Sequence, residues 1–322
     1  MLRLNLRRPQ LIPFFKKLAP TEVVLEACGG SHHWARSLAA LGHTLRLIPP
    51  QYVKPFVKRG KNDRNDAEAI CEAGGRPNIH PVPVKSATQQ AQAMVLKVRQ
   101  TLVGQRTQLV NTLRGHATEF GIIAAKSITE VGGLLRAIEA DTTILPCAQE
   151  MLTLLGEEIA HLAARIKEVD AKLLAAHKAN PLSRLLATIP GIGPITALTL
   201  ALEIDAAAFA SGRHLASWMG LTPREHSTGG KQRLGRISRA GNERLRQLLV
   251  LGATSVIKGA ARPGNPNASA WLLGLLQRKP RKLVAVAPRL RKTGLANKMA
   301  RIAWAVMTTG EAYRSGPTAV AA

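Results

Sequence analysis

Aromatic residues make up only 3% of this 322-residue chain, so stacking on rings cannot be its main mode of recognition. Cysteine is scarcer still. Cys28, Cys71 and Cys147 are odd in number and widely spaced, with no CxxC pair. They suggest neither a disulfide framework nor a zinc site, and they fit a reducing compartment. Acidic residues are few as well, 20 against 45 Lys and Arg, which leaves a formal charge of +25 and a pI near 11.1. A chain with that surplus repels itself unless a polyanion or solvent screens it, and nucleic acid is the obvious polyanion. A membrane surface is the weaker rival, because no stretch approaches the roughly 20 apolar residues of a membrane span. The opening MLRLNLRRPQLIPFFKKLAP is basic and mildly amphipathic but has no long apolar core or small-residue cleavage site, which argues against a secretory signal. The expected location is the cytoplasm, where DNA is.

What is present is 46% hydrophobic residues, enough for two domains or for two domains joined by a helical insertion. Val23-Val24-Leu25 ends at Glu26 and is broken by Gly29-Gly30. Ser31 is placed to cap a helix through Leu41, Gly42 ends it, and Thr44 to Ile48 forms the next strand. This is one parallel α/β unit, closed by Pro49-Pro50. RNDAEAICEAGG then reads as a helix ended by its glycine pair. From Ser86 to Phe120 a stripe of Val95, Val98, Leu102, Leu109 and Leu113 predicts one long helix. In a second, Leu152, Leu155, Ile159, Leu162, Ile166, Val169 and Leu173 alternate by three and four, the seam of a coiled coil. Such a seam needs a partner, so the two helices pair with each other or with a second protomer, and the reading favours a paired arm that also supports oligomerisation. After Asn180-Pro181 the chain becomes Gly-rich and basic, and the tail from Glu311 is expected to fray.

Three constellations can carry chemistry. Glu26 ends a strand, while Asp63 and Asp66 lie three apart on one helical face near its first turn. Acidic residues there are commonly capping devices. Gathered at the mouth of an α/β unit, however, the three would repel each other unless a divalent cation joined them, and Mg2+ with oxygen ligands suits phosphodiester chemistry. In TIPGIGPITA, Gly191 and Gly193 present open backbone NH groups between two helices, which can grip DNA phosphate or form an ordinary helix-turn-helix corner. In GLTPREHSTGGKQRLGRISRAGN, Ser227 precedes Gly229-Gly230, and Lys231, Arg233, Arg236 and Arg239 follow. A serine that attacks phosphate needs such cations to stabilise the transition state; the plain alternative is a turn serine among phosphate-binding residues. His226 is a base or a surface histidine. Ser238 lies nearer the next helix, where capping suits it. Arg278 to Arg301 adds nine Lys or Arg and no acid, an electrostatic surface for nucleic acid or a solvated face. Trp34, Trp218, Trp271 and Trp304 have mostly apolar or small neighbours and are expected in the core.

VVLEACGGSHHWARSL, KNDRNDAEAICEA, TIPGIGPITA, GLTPREHSTGGKQRLGRIS and LANKMARIAW, in that order, resemble the insertion sequence 110 transposases. The resemblance implies an α/β plus α architecture: an RNase H-like DEDD domain over residues 1–82, a coiled-coil arm over 83–180, and a mainly helical serine transposase domain with a helix-hairpin-helix over 181–322. It implies that Glu26, Asp63 and Asp66 are the second, third and fourth acidic residues of the metal site. Ser227 would be the nucleophile that forms a phosphoserine bond to DNA. It also implies a structured guide RNA and dimers that assemble into a tetramer on two DNAs. The family's opening strand, which carries the first aspartate, has no counterpart here. The chain is expected to start at the third strand, LRLNLRR, leaving the edge of the Val23 strand exposed and little or no strand transfer. APRLRKTG, residues 287–294, looks inserted. Two other readings stand beside the recombinase: an inactive nucleic-acid-binding protein, and a metal-dependent junction nuclease that needs no serine.

Overall fold

The computed structural model describes residues 4–60, 62–231, 233–262, 269–286 and 294–314. The chain divides into two compact units, residues 1–91 and 92–322.

In the first unit, a short helix α1 (Leu11–Lys16) leads to strand β1 (Glu22–Glu26), helix α2 (Ser31–Ala39) and strand β2 (Thr44–Ile48). The strands pair in parallel from Glu22↔Thr44 to Glu26↔Ile48, as the β-branched runs and the Gly42 break predict. Gly42 has φ 92°, a left-handed backbone that favours glycine. Leu4 to Arg7 form no strand. Arg8–Gln10 is a turn of 3-10 helix that runs into α1, with Pro9 in its first turn, so the described part of the expected third strand leads into a helix, and Leu2 and Arg3 lie outside the described residues. Ser31 is likewise not a cap: Gly30 holds that position and Ser31 is the first helical residue, its buried hydroxyl unpartnered. Among the described residues β2 is the one ladder partner of β1.

After the short α3 (Pro50–Val53), helix α4 (Asp63–Gly74) lays Ala69 and Ala73 into a small core with Ile48 and Val53. A Cβ on Gly74 would stand 2.7 Å from the Val24 methyls, so the helix closes on the sheet only with glycine there.

In the second unit, helix α5 (Ala87–Glu119), which begins in the first, is followed by α6 (Val131–Ala140) and α7 (Pro146–Ala179). Both long helices form where the apolar stripes predict them and run in opposite directions, but the stripe of α5 is shifted: Val98 is exposed, and the buried residues are Ala93, Leu96, Val110, Leu113 and Ala117. Leu113 belongs to one apolar cluster with Leu152 and Ile159, and Leu96 to another with Leu173, Leu198 and Leu202. Arg99 donates to Asp170 between the two clusters. Helix α6 had no counterpart in the sequence reading; its Leu135 fills the space where Gly156 of α7 lacks a side chain.

The remainder is helical around one core: α8 (Pro181–Leu186), α9 (Pro194–Glu203), α10 (Gly212–Trp218), α11 (Glu243–Ala260), α12 (Ala270–Leu276), α13 (Arg281–Val286) and α14 (Leu295–Thr309). Between α10 and α11 a hairpin of β3 (Pro223–Glu225) and β4 (Leu234–Ile237) projects. The four tryptophans are half-buried, and Trp218, Trp271 and Trp304 pack against this core. Two of them also keep a polar contact: Trp304 donates to the Ala206 and Phe209 carbonyls, and Lys298 sits 4.4 Å over Trp271. Most of the 287–294 segment lies outside the described residues.

Candidate functional site

The hairpin begins and ends on tight backbone contacts. Gly220 (φ 67°) and Gly241 (φ 64°) bracket it, and a Cβ on Gly241 would fall 1.7 Å from the Trp218 carbonyl oxygen. Buried Arg246 of α11 donates to the Met219 and Ala240 carbonyls at 3.0 and 2.7 Å, and Asn297 of α14 donates to the Leu221 carbonyl. The base of the hairpin is therefore fastened to two core helices. Its tip is a tight turn in which Lys231 N–H donates to the Thr228 carbonyl across Gly229 and Gly230, both at positive φ.

Ser227 stands where the paired strands give way to this turn, and it is exposed. Its hydroxyl donates to Glu225 Oε1 at 2.8 Å and accepts the Arg233 N–H at 3.1 Å. Sequence reasoning singled out His226 and passed over Glu225. The signal was available: in extended chain, side chains two apart can meet, and Glu225 and Ser227 are two apart. The His226 N–H donates to the Arg233 carbonyl, as a ladder residue does. Lys231, Arg233, Arg236 and Arg239 are exposed, and none of them makes an ion pair among the described residues. Ser238 does not cap α11. Asn242 does, accepting from Leu245 N–H, while Ser238 accepts from Ala240 N–H within the turn.

The TIPGIGPITA turn joins α8 to α9. A Cβ on Gly191 would meet the Gly252 carbonyl at 2.8 Å, and one on Gly252 would meet the Gly191 carbonyl at 2.1 Å, so Gly191 lets the turn rest on α11. Gly193 is exposed, with open space around it. Elsewhere in this unit an open cavity of about 630 Å3 is lined by Arg213, Trp271, Lys298, Arg301 and Trp304 with no carboxylate.

In the first unit, Glu26 ends β1 at the carboxyl edge of the parallel pair, where open α/β sheets bind ligands. Asp63 and Asp66 occupy the first turn of α4, and Asn62, not either aspartate, is the cap. They continue the stripe of Ala69 and Ala73, the face that packs on the sheet. Among the described residues none of the three carboxylates makes an ion pair, whereas neighbouring Glu68 pairs with Lys58. Their hard oxygen donors suit a divalent cation in type. In arrangement they do not complete a site: among the described residues no group of three or more His, Cys, Asp or Glu is placed to hold a metal.

A family model described as Transposase IS116/IS110/IS902 family matches residues 183–265, which contain the hairpin. A DEDD transposase model of the IS110 type matches residues 9–122, which contain Glu26, Asp63 and Asp66. A Sinorhizobium fredii protein named as a candidate transposase is 52% identical over 315 residues, 98% of this chain and 80% of its own length. The transposases for IS1111A of Coxiella burnetii and IS1328 of Yersinia enterocolitica are each 38% identical over 97% of this chain, which spans 84% and 91% of them. The chain belongs to the IS110 transposase family.

It is thus an insertion-sequence transposase, an enzyme of DNA recombination, and it binds DNA. The DEDD match over residues 9–122 brings an RNase H-like fold and a divalent metal ion. No helix among the described residues of the transposase is long and apolar enough to cross a membrane.

Proposed function

We propose that this transposase cuts and rejoins DNA through a phosphoserine bond at Ser227. The observation that carries this reading is the hairpin tip. An exposed hydroxyl is held by two hydrogen bonds, amid cations that have no acidic partner among the described residues, on a hairpin clamped to the core. A polyanion approaching that tip meets fixed positive charge and an oriented nucleophile together. A covalent bond to phosphorus conserves the phosphodiester energy, so rejoining needs no ATP.

Glu26, at the end of β1, and Asp63 and Asp66, in the first turn of α4, are the hard oxygen donors this chain offers to Mg2+, and a bound divalent cation would supply charge neutralisation for phosphodiester chemistry. The reading extends to a structured RNA guide and to dimers that form a tetramer on two DNAs, with three working segments: 1–82 for the metal, 83–180 as a coiled-coil arm, and 181–322 for the serine. The two antiparallel long helices support the arm, and the free cations support phosphate contact by Gly193, Lys231, Arg233, Arg236 and Arg239. Gly191, in contact with α11, would serve by shaping the same turn.

The test is to incubate the transposase with DNA carrying the ends of its own element and an RNA transcribed from that element, then separate covalent complexes in denaturant. Covalent complexes should form with Mg2+, disappear with a chelator and return when Mg2+ is restored. Cleavage without any covalent complex would instead favour a metal-dependent nuclease, and salt-sensitive binding alone an inactive nucleic-acid-binding chain.

The cavity beside Trp271 supplies a second expectation. Changing Lys298 and Arg301 together to Gln should lower the slope of log affinity against log salt by about 2, since each phosphate contact contributes about 0.9. A filter-binding series in rising KCl measures it, and an unchanged slope would remove this cavity from the DNA path.

A further inference from the structure

This inference rests on Ser227 being the nucleophile. Between Gly220 and Asn242 the chain holds Arg224, Lys231, Arg233, Arg236 and Arg239 but a single carboxylate, Glu225. A carboxylate in such a field ordinarily takes a charged partner, because hydrogen bonds between opposite charges are the stronger kind. Glu225 does not. Among the described residues no Lys or Arg nitrogen lies within 4.0 Å of it, and its Oε1 accepts the Ser227 hydroxyl at 2.8 Å.

We propose that Glu225 is the general base that takes the proton from Ser227. The hydroxyl has one hydrogen and two lone pairs. The hydrogen points to Glu225, one lone pair receives the Arg233 N–H at 3.1 Å, and the other is left for phosphorus. As Oγ attacks, its proton passes to Glu225, the Oγ–P bond forms, and the bond from phosphorus to the leaving deoxyribose oxygen breaks. That oxygen takes a proton from water. On rejoining, a deoxyribose hydroxyl attacks phosphorus and gives its proton to solvent, the Oγ–P bond breaks, and Glu225 returns its proton to Oγ. No electrons change hands. The Arg233 N–H donates throughout to the oxygen on which negative charge develops, the role of an oxyanion donor applied to the nucleophile. His226 engages Arg233 through its own backbone N–H, which donates to the Arg233 carbonyl.

A fluorophosphonate reagent reads this directly, because it needs only an activated hydroxyl: Oγ–P forms, P–F breaks, and the proton goes to Glu225. The full chain should be labelled on the peptide containing Ser227, as located by mass spectrometry. Glu225→Gln and Glu225→Ala should slow labelling about 100-fold, the lower range for loss of a general base. Glu225→Asp should retain part of the rate, and formate should restore part of it to Glu225→Ala. Wild-type labelling rates in Glu225→Gln, no labelling of Ser227 in the wild type, or a loss that formate does not rescue would each overturn the proposal. Covalent DNA complexes separate the two readings. If Ser227→Ala still forms them, the nucleophile itself is wrong; if Ser227→Ala loses them while Glu225→Gln forms them at the wild-type rate, only the base is wrong.

Discussion

Replacing Ser227 with Ala should abolish covalent protein–DNA complexes, a loss of at least about 10⁴-fold, as when other serine enzymes lose their nucleophile. Stability and DNA affinity should hardly change. The side chain is exposed, and its two hydrogen bonds are made within the hairpin, so the expected cost is within about 1 kcal/mol. The pairing of the two results gives the variant its force. Loss of the complexes with unaltered binding, followed by gel separation in denaturant and by filter binding, assigns chemistry to the hydroxyl. Complexes that persist in Ser227→Ala would exclude it.

The second large effect is structural. Gly241→Ala should destabilise the second unit by about 3 kcal/mol, combining the cost of a left-handed backbone with overpacking. Nothing near Gly241 can give way cheaply, because the atom a Cβ would strike is the Trp218 carbonyl oxygen, part of the α10 C-terminus. For a unit of this size the melting temperature should fall by roughly 6–12 °C. Gly229→Ala provides the comparison. Gly229 also has positive φ (54°), yet a Cβ there meets nothing within 4 Å, so only the conformational cost of about 1 kcal/mol applies. Equal melting temperatures for the two variants would mean that the clamp at the base of the hairpin is not where its rigidity comes from.

Much of the scaffold was legible because its signals are local. Thr44 to Ile48 is a strand with those limits, and the helix that contains RNDAEAICEAG starts where Asn62 can cap it and ends where Gly74 meets Val24. The long helices followed from apolar spacing alone. The misreadings share a different cause: they turn on partners remote in sequence. LRLNLRR alternates like a strand, but a strand also needs a neighbour, and the described residues Leu4 to Arg7 pair with none and lead into the turn at Arg8–Gln10. Three of the tryptophans do pack against the core, but the lysine over Trp271 and the carbonyls that bind Trp304 come from other parts of the chain. Gly191 showed that a turn was present, not that α11 lies against it. Glu225 is the exception. Its relation to Ser227 is local, a contact between residues two apart in the chain.

The carboxylates Glu26, Asp63 and Asp66 illustrate the same limit from the other side. Their residue types were readable, and two of them share a helical face with the alanines that pack on the sheet. Spacing along the chain did not contain their arrangement in space, in which they form no complete metal-holding group among the described residues.

The most direct test of the account is to isolate the covalent complex, digest its DNA to a nucleotide remnant and locate that remnant by tandem mass spectrometry. The account predicts a nucleotide phosphate on the Ser227 hydroxyl. A remnant on any other residue, or complexes that carry none, would contradict it.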